Sequence, residues 1–270
     1  MRYIIDEQNH FFYLYVSTLK NKPMQNLQRT KNLHELVEND YVLAHALFFL
    51  GIKFYEHKTK TLEEVLKAAE ISEQQVFKKL NELHAEEFPG VDFFTFFEVD
   101  AIIEYLKHAH YLYIKEKIPY ISKLIADLKD SDKLTHDLKL IFPYVTEDFI
   151  KHIYHEEDSL FYYVLKLYTA SVGTFNESVM LEIMSKYSIR AMAAHHEDDD
   201  DEMKGIRGLT NNYSIDGIED VHLKVVFQEL RALDKDLHMH ARIENEVLFP
   251  KAMELESKVA KTVAESIKSF

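Results

Sequence analysis

Four stretches of this chain repeat apolar residues every three or four positions, and each breaks its own pattern with histidine, in two cases followed one turn later by glutamate. The first is Val99, Ile102, Ile103, Leu106, His110, Tyr113, Ile114, Ile121, Leu124, Leu128. The second is Leu138, Ile141, Phe142, Val145, Phe149, His152, Ile153, Glu156, Leu160, Tyr163, Val164, Leu167. A weaker third is Val179, Ile183, Ile189, Met192, Ala193, His196, Met203, Ile206. The fourth is Leu223, Val226, Phe227, Leu230, Leu233, Leu237, His240, Glu244, Val247, Leu248. That spacing marks one face of an α-helix. Four long helices joined near 130–134, 169–177 and 210–219 predict an up-down-up-down bundle. The chain has 6 Gly and 5 Pro in 270 residues, where ordinary usage would give about 19 and about 13. Sandwiches, barrels and doubly wound sheets need a tight turn every few residues, and such turns need those two residue types. The expected fold class is therefore all-α.

The polar interruptions are the second signal. His110, His152 with Glu156, His196, and His240 with Glu244 all lie on the inward faces. Residues i and i+4 are about 40° apart around a helix, so each His-x-x-x-Glu pair faces one way. An unpaired carboxylate in an apolar interior is strongly disfavoured. Four imidazoles and two carboxylates in one bundle core therefore predict a metal site. Two carboxylates can bridge two cations while the imidazoles fill terminal positions, and mixed ligation of this kind suits iron or manganese. One histidine on an apolar stripe is ordinarily a core or boundary residue. Six such positions on four helices are hard to place that way. His108, His155, His195 and His238 point off the stripes and read as solvated.

The absence of Cys excludes disulfides, thiolate zinc sites, Cys-ligated clusters and a catalytic thiol. Residues 1–85 hold 11 basic and 11 acidic side chains, while residues 86–270 hold 21 and 35, so the net charge of −14 belongs to the second part. This disfavours nucleic acid as a partner. Acidic residues at the start and the lack of a long apolar run predict a cytoplasmic chain that does not enter a membrane. The turn-like Glu87-Phe88-Pro89-Gly90 suggests two domains, a small helical one over 1–88 and the bundle over 89–270.

In the first domain, one helix is expected over Leu33–Leu50, ending at Gly51. Thr61 with Glu64, and Ser72 with Gln75, are capping-box starts. Residues 61–84 thus read as helix, turn, helix, but Lys78 and Lys79 against Glu73 and Glu82 are too few bases for a DNA reader. Residues 1–30 are aromatic-rich without a period. There is no Gly-rich phosphate loop and no Ser or Lys nucleophile constellation. Tyr111, Tyr113, Tyr154, Tyr162 and Tyr163 read as packing residues.

A resemblance accompanies these readings. His152-Ile153-Tyr154-His155-Glu156-Glu157-Asp158-Ser159-Leu160-Phe161 resembles the HxxxEExxLFP signature of hemerythrin-like (HHE cation-binding) domains, and His240 through Pro250 resembles it more closely. Leu209-Thr210-Asn211-Asn212-Tyr213 is similar to a stretch of the iron–sulfur cluster repair branch (RIC, YtfE/ScdA type). His110 followed by Lys115-Glu116-Lys117-Ile118-Pro119 is similar to that branch's first-helix segment. Leu33–Asn39 through Leu50-Gly51-Ile52-Lys53-Phe54, and then Thr61–Val65, resemble its N-terminal domain, with Tyr55-Glu56 where the family has paired Cys.

The resemblance covers roughly residues 33–255. It implies a non-haem di-iron centre, oxo- or hydroxo-bridged, on His110, His152, Glu156, His196, His240 and Glu244. It also implies oxygen or nitric oxide as small ligands, and iron–sulfur proteins damaged by nitrosative or oxidative stress as clients. A gas-binding sensor or carrier is the alternative with the same ligands. Loss of the Cys pair removes thiol chemistry from the first domain and leaves docking, or a homodimer contact, as its role. The run Asp198–Asp201 is a second departure, and it makes Asp200 a candidate extra ligand one turn from His196.

Overall fold

The computed structural model describes residues 28–84, 90–130, 132–199 and 201–268. Among them the chain is all-α, without a strand and with no helix long and apolar enough to cross a membrane. The expected boundary at 88/89 and most of residues 1–30 lie outside the described residues. Contacts divide the chain into two compact units. One contains the described parts of 1–89 with 119–139 and 207–232, and the other contains 90–118, 140–206 and 233–270. The four predicted stripes become four helical rods, and these contribute residues to both units.

The rods are segmented. Rod one is Val99–Leu112, a π-helical turn at Tyr113–Lys117, and Ile118–Ala126. Rod two is Lys133–Glu156, a π turn at Glu157–Phe161, and Tyr162–Val172. Rod three breaks twice, into Glu177–Lys186, Ile189–Asp199 and Lys204–Leu209. Rod four is Val221–Ile243, a π turn at Glu244–Leu248, and Phe249–Lys268. In the second unit, Tyr162–Val172 packs on Val99–Leu112 and on Phe249–Lys268, and Ile189–Asp199 also packs on Phe249–Lys268.

The stripes mostly match burial. Ile102, Ile103, Leu106, Phe142, Ile153, Leu167, Phe227 and Leu230 are buried. Stripes two and three each carry an exception: Ile141 faces solvent in stripe two, and in stripe three Val179 faces solvent and Met180 is buried in its place. The predicted helix over Leu33–Leu50 is two helices, Leu33–Asn39 and Val42–Phe49. The side chain of Asp40 accepts from Val42 N–H at 3.1 Å, and that of Asn39 donates to the Glu35 carbonyl at 2.9 Å. Such short polar side chains compete with the helical ladder and restart it. The stop at Gly51 is a Schellman turn: Ile52 N–H bonds to Leu47 C=O at 2.8 Å and Gly51 N–H to Phe48 C=O at 2.9 Å, with Gly51 at φ +78°. Both capping boxes form, Thr61 with Glu64 and Ser72 with Gln75.

The first unit is held by mixed polar and aromatic contacts. Tyr55 donates to Asp127 at 2.6 Å and stacks flat on His222, ring centroids 3.9 Å apart. Lys53 and Lys123 pair with the same Asp127. His45 stacks on Tyr120 at 4.1 Å. The Thr-Asn-Asn-Tyr stretch is a left-handed turn, with Asn211, Asn212 and Tyr213 at φ +48°, +56° and +58°. Asn tolerates that region and a buried Tyr does not, so the turn needs support. Arg231 donates to the Tyr213 carbonyl at 2.9 Å, and the Thr210 hydroxyl accepts from Tyr213 N–H at 3.1 Å.

Candidate metal centre

Each π turn lies beside a polar position of a stripe. Ile118 N–H reaches back five residues to Tyr113 C=O, and Phe249 N–H reaches back five to Glu244 C=O. One residue is thereby inserted into the helical period, which re-aims everything after it. Pro119 and Pro250 each follow a π turn by two residues. A proline ring clashes with the carbonyl four residues earlier in a regular helix, and the wide turn relieves that clash. Rod two has a π turn with no proline, so proline is not what creates it there.

All six candidate ligands belong to the second unit, and their side chains meet. His152 Nε2 and His196 Nε2 each lie 2.9 Å from Glu156 Oε1. His110 Nε2 lies 3.4 Å from the other oxygen, Glu156 Oε2, and 3.1 Å from His240 Nε2. Glu244 repeats the pattern, with Oε2 3.1 Å from His196 Nε2 and Oε1 3.4 Å from His240 Nε2. Each carboxylate therefore offers one oxygen to the pair His110/His240 and one to the pair His152/His196. Two groups of donor atoms each fall within 4.8 Å of one another: His110, Glu156 and His240, and His152, Glu156 and His196.

The electrostatics match that crowding. Burial raises the Glu156 carboxyl, but the imidazoles of His110, His152 and His196 outweigh it and hold the group well below the usual carboxylate range. Burial and the neighbouring Glu156 push Glu244 up, and His240 and His196 bring it net downward. Burial lowers His152, yet the Glu156 hydrogen bond and the charge of Glu202 lift it to about 9. His240 is raised as well, by Glu244 against the effect of its own burial. The core thus favours two carboxylates with positive charge beside them. Glu156 Oε2 and Glu244 Oε1, both turned toward His110/His240, are buried and accept no hydrogen bond among the described residues. Buried anionic oxygens without a donor are costly, and a cation between them and the imidazoles removes that cost. The donor set, imidazole nitrogen with carboxylate oxygen, fits a first-row transition metal.

Of the off-stripe histidines, His108, His155 and His238 are exposed. The side chain of His195 and all of Asp200 lie outside the described residues. Tyr113 is buried with its ring centroid 6.0 Å from that of His240, Tyr163 is buried, and Tyr111, Tyr154 and Tyr162 are exposed. Two residues that the stripes do not flag join the cluster from outside. Glu157 Oε1 takes the Nδ1 of His110 at 2.9 Å, and Glu202 Oε1 stands 3.6 Å from the Nδ1 of His152. The Glu157 carboxylate on Nδ1 fixes the tautomer of His110 and leaves its Nε2 free to ligate. Glu157 is legible as the second acid of the Glu-Glu pair. Glu202 is not, because the break in rod three between Asp199 and Lys204 destroys the period that would place it.

The fold and the site together define a helical-bundle protein with a buried histidine–carboxylate cluster able to bind metal. The chain is similar to the iron-sulfur cluster repair protein ScdA of Staphylococcus epidermidis, in strains ATCC 35984 and ATCC 12228. With each it is 24% identical over 180 residues, covering 65% of this chain and 76% of the relative. No protein-family model matches the chain.

Proposed function

We propose that the cluster is a dinuclear non-haem iron centre and that the protein takes part in repairing iron–sulfur clusters damaged by nitrosative or oxidative stress. The observation that carries this reading is the sharing of both carboxylates: Glu156 and Glu244 each present one oxygen to His110/His240 and the other to His152/His196. One cation would leave half of these donors unused. The likeness to repair proteins supports the cellular role. In this reading residues 89–270 carry the iron chemistry and residues 1–88 serve docking. Glu156 and Glu244 would hold both cations, with His110 and His240 completing one position and His152 and His196 the other. Bound iron would supply a site for nitric oxide or oxygen, or the iron itself would be the cargo.

Metal analysis after anaerobic loading with ferrous iron tests the centre, and about two irons per chain with a di-iron optical spectrum are expected. Recovery of an iron–sulfur enzyme inactivated by nitric oxide, when incubated with the loaded protein, tests the role. Tight iron retention with reversible gas binding and no recovery would identify a sensor or carrier instead. Loading of fewer than two irons per chain would remove the dinuclear reading, and fewer than about one would remove the iron centre altogether.

A further inference from the structure

We propose that the two metal positions differ in access: a divalent cation at His152/His196 exchanges through a cavity beside them, while one at His110/His240 is retained. This rests on the two-cation reading above.

Rod three stops being helical at Tyr187 and Ser188, and the break leaves a cavity of about 350 Å³. Its walls include Tyr187, Ser188, Ala191 and Met192, and His152, Glu156 and His196 line it too. Neither His110 nor His240 is among the described residues lining it. At the liquid volume of about 30 Å³ per water, this space holds about ten waters. A divalent cation can therefore reach this pair of histidines with much of its water shell in place, and shed it stepwise onto the ligands.

The ligands on the two sides are also held differently. The His152 side chain is 25% exposed and the His110 side chain 2%. His110 is hydrogen-bonded to Glu157 at 2.9 Å, with its ring stacked on Phe161 at 5.6 Å, whereas His152 and Glu202 stand 3.6 Å apart, beyond hydrogen-bond reach. His196 sits on Ile189–Asp199, which is broken off at both ends, while His110 and His240 sit on Val99–Leu112 and Val221–Ile243, which continue through π turns. Release requires imidazoles to swing off the metal, and the cavity side has the room and the looser support.

The test uses the full chain loaded anaerobically with ferrous iron and mixed with excess of a strong, coloured ferrous chelator. Release in two phases of equal amplitude is expected, the rates differing by at least about tenfold. Ala191 is exposed on its helix and lines the cavity. Ala191→Trp fills the cavity and should slow the fast phase about tenfold, leaving the slow phase and the total iron unchanged. Met192→Ala widens the same cavity and should speed the fast phase, an independent check if Ala191→Trp folds poorly. Two irons leaving in a single phase, or both variants altering the slow phase, overturn this inference alone. Loading of fewer than two irons overturns the two-cation reading and this inference with it.

Discussion

Each compact unit buries a histidine near a carboxylate, and the two units treat the pair in opposite ways. In the first, His222 is stacked under Tyr55, and burial pushes its pKa down to about 4. The nearby Asp127 gets its partners from its own surroundings, taking hydrogen bonds from Tyr55, Lys53 and Lys123; against its partial burial, these hold it at about 2. In the second, Glu156 and Glu244 meet imidazoles with no lysine or arginine pairing with them among the described residues, and His152 is lifted to about 9 by Glu156 and Glu202 against its burial. In the first arrangement both Asp127 oxygens are served by neighbouring donors, and the atom left without a hydrogen bond among the described residues is the imidazole Nε2 of His222. The second leaves carboxylate oxygens unserved. Carboxylate oxygens served by their own surroundings are architecture, and buried ones left unserved invite a cation.

The largest effect that would break this contrast is expected at Glu156. Glu156→Ala removes an oxygen from both positions and should lower metal affinity more than about 100-fold, read by metal analysis after equilibrium dialysis. Undiminished metal content would mean that the shared carboxylate is not a ligand. The first unit should respond to pH rather than to metal. His222 is neutral when folded and titrates near its ordinary value when unfolded, so the unfolded chain binds the extra proton between pH 6.5 and about 4. Stability is intact above that window and is lost as pH falls through it, by about 3 kcal/mol. His222→Phe keeps the ring and removes the proton site. Metal-free His222→Phe should therefore gain about 3 kcal/mol over wild type near pH 4 relative to pH 7, in urea melts. Parallel pH profiles would contradict a neutral buried His222.

Two smaller changes sharpen the same comparison. Glu157→Ala frees the Nδ1 of His110 and should weaken metal binding about 10-fold to 100-fold without unfolding the protein, seen in competition with a chelator. Tyr55→Phe should cost about 1 kcal/mol of stability, the worth of one hydrogen bond, and leave iron stoichiometry unchanged. A change in stoichiometry there would tie the first unit to the metal site.

Much of this was legible along the chain. Local capping chemistry located the helix starts at Thr61 and Ser72 and the stop at Gly51, because those signals act within a few residues. The stripes marked His110 rather than His108, since a helix of constant period assigns faces without reference to any neighbour. The same assumption hid the π turns, as an inserted residue leaves no mark on composition. It also misplaced Val179 and missed the break at Asp40, where short polar side chains compete with the backbone ladder.

The sequence by itself determined that the chain is helical, the helix starts at Thr61 and Ser72 and the stop at Gly51, and which histidines and glutamates face inward, because these follow from side-chain type, local capping and a 3.6-residue period. Tertiary structure alone decided that each carboxylate is divided between two histidine pairs, that Glu157 and Glu202 support opposite sides, and that a cavity opens beside His152 and His196. Those are distances between helices remote in sequence, and no local period encodes them.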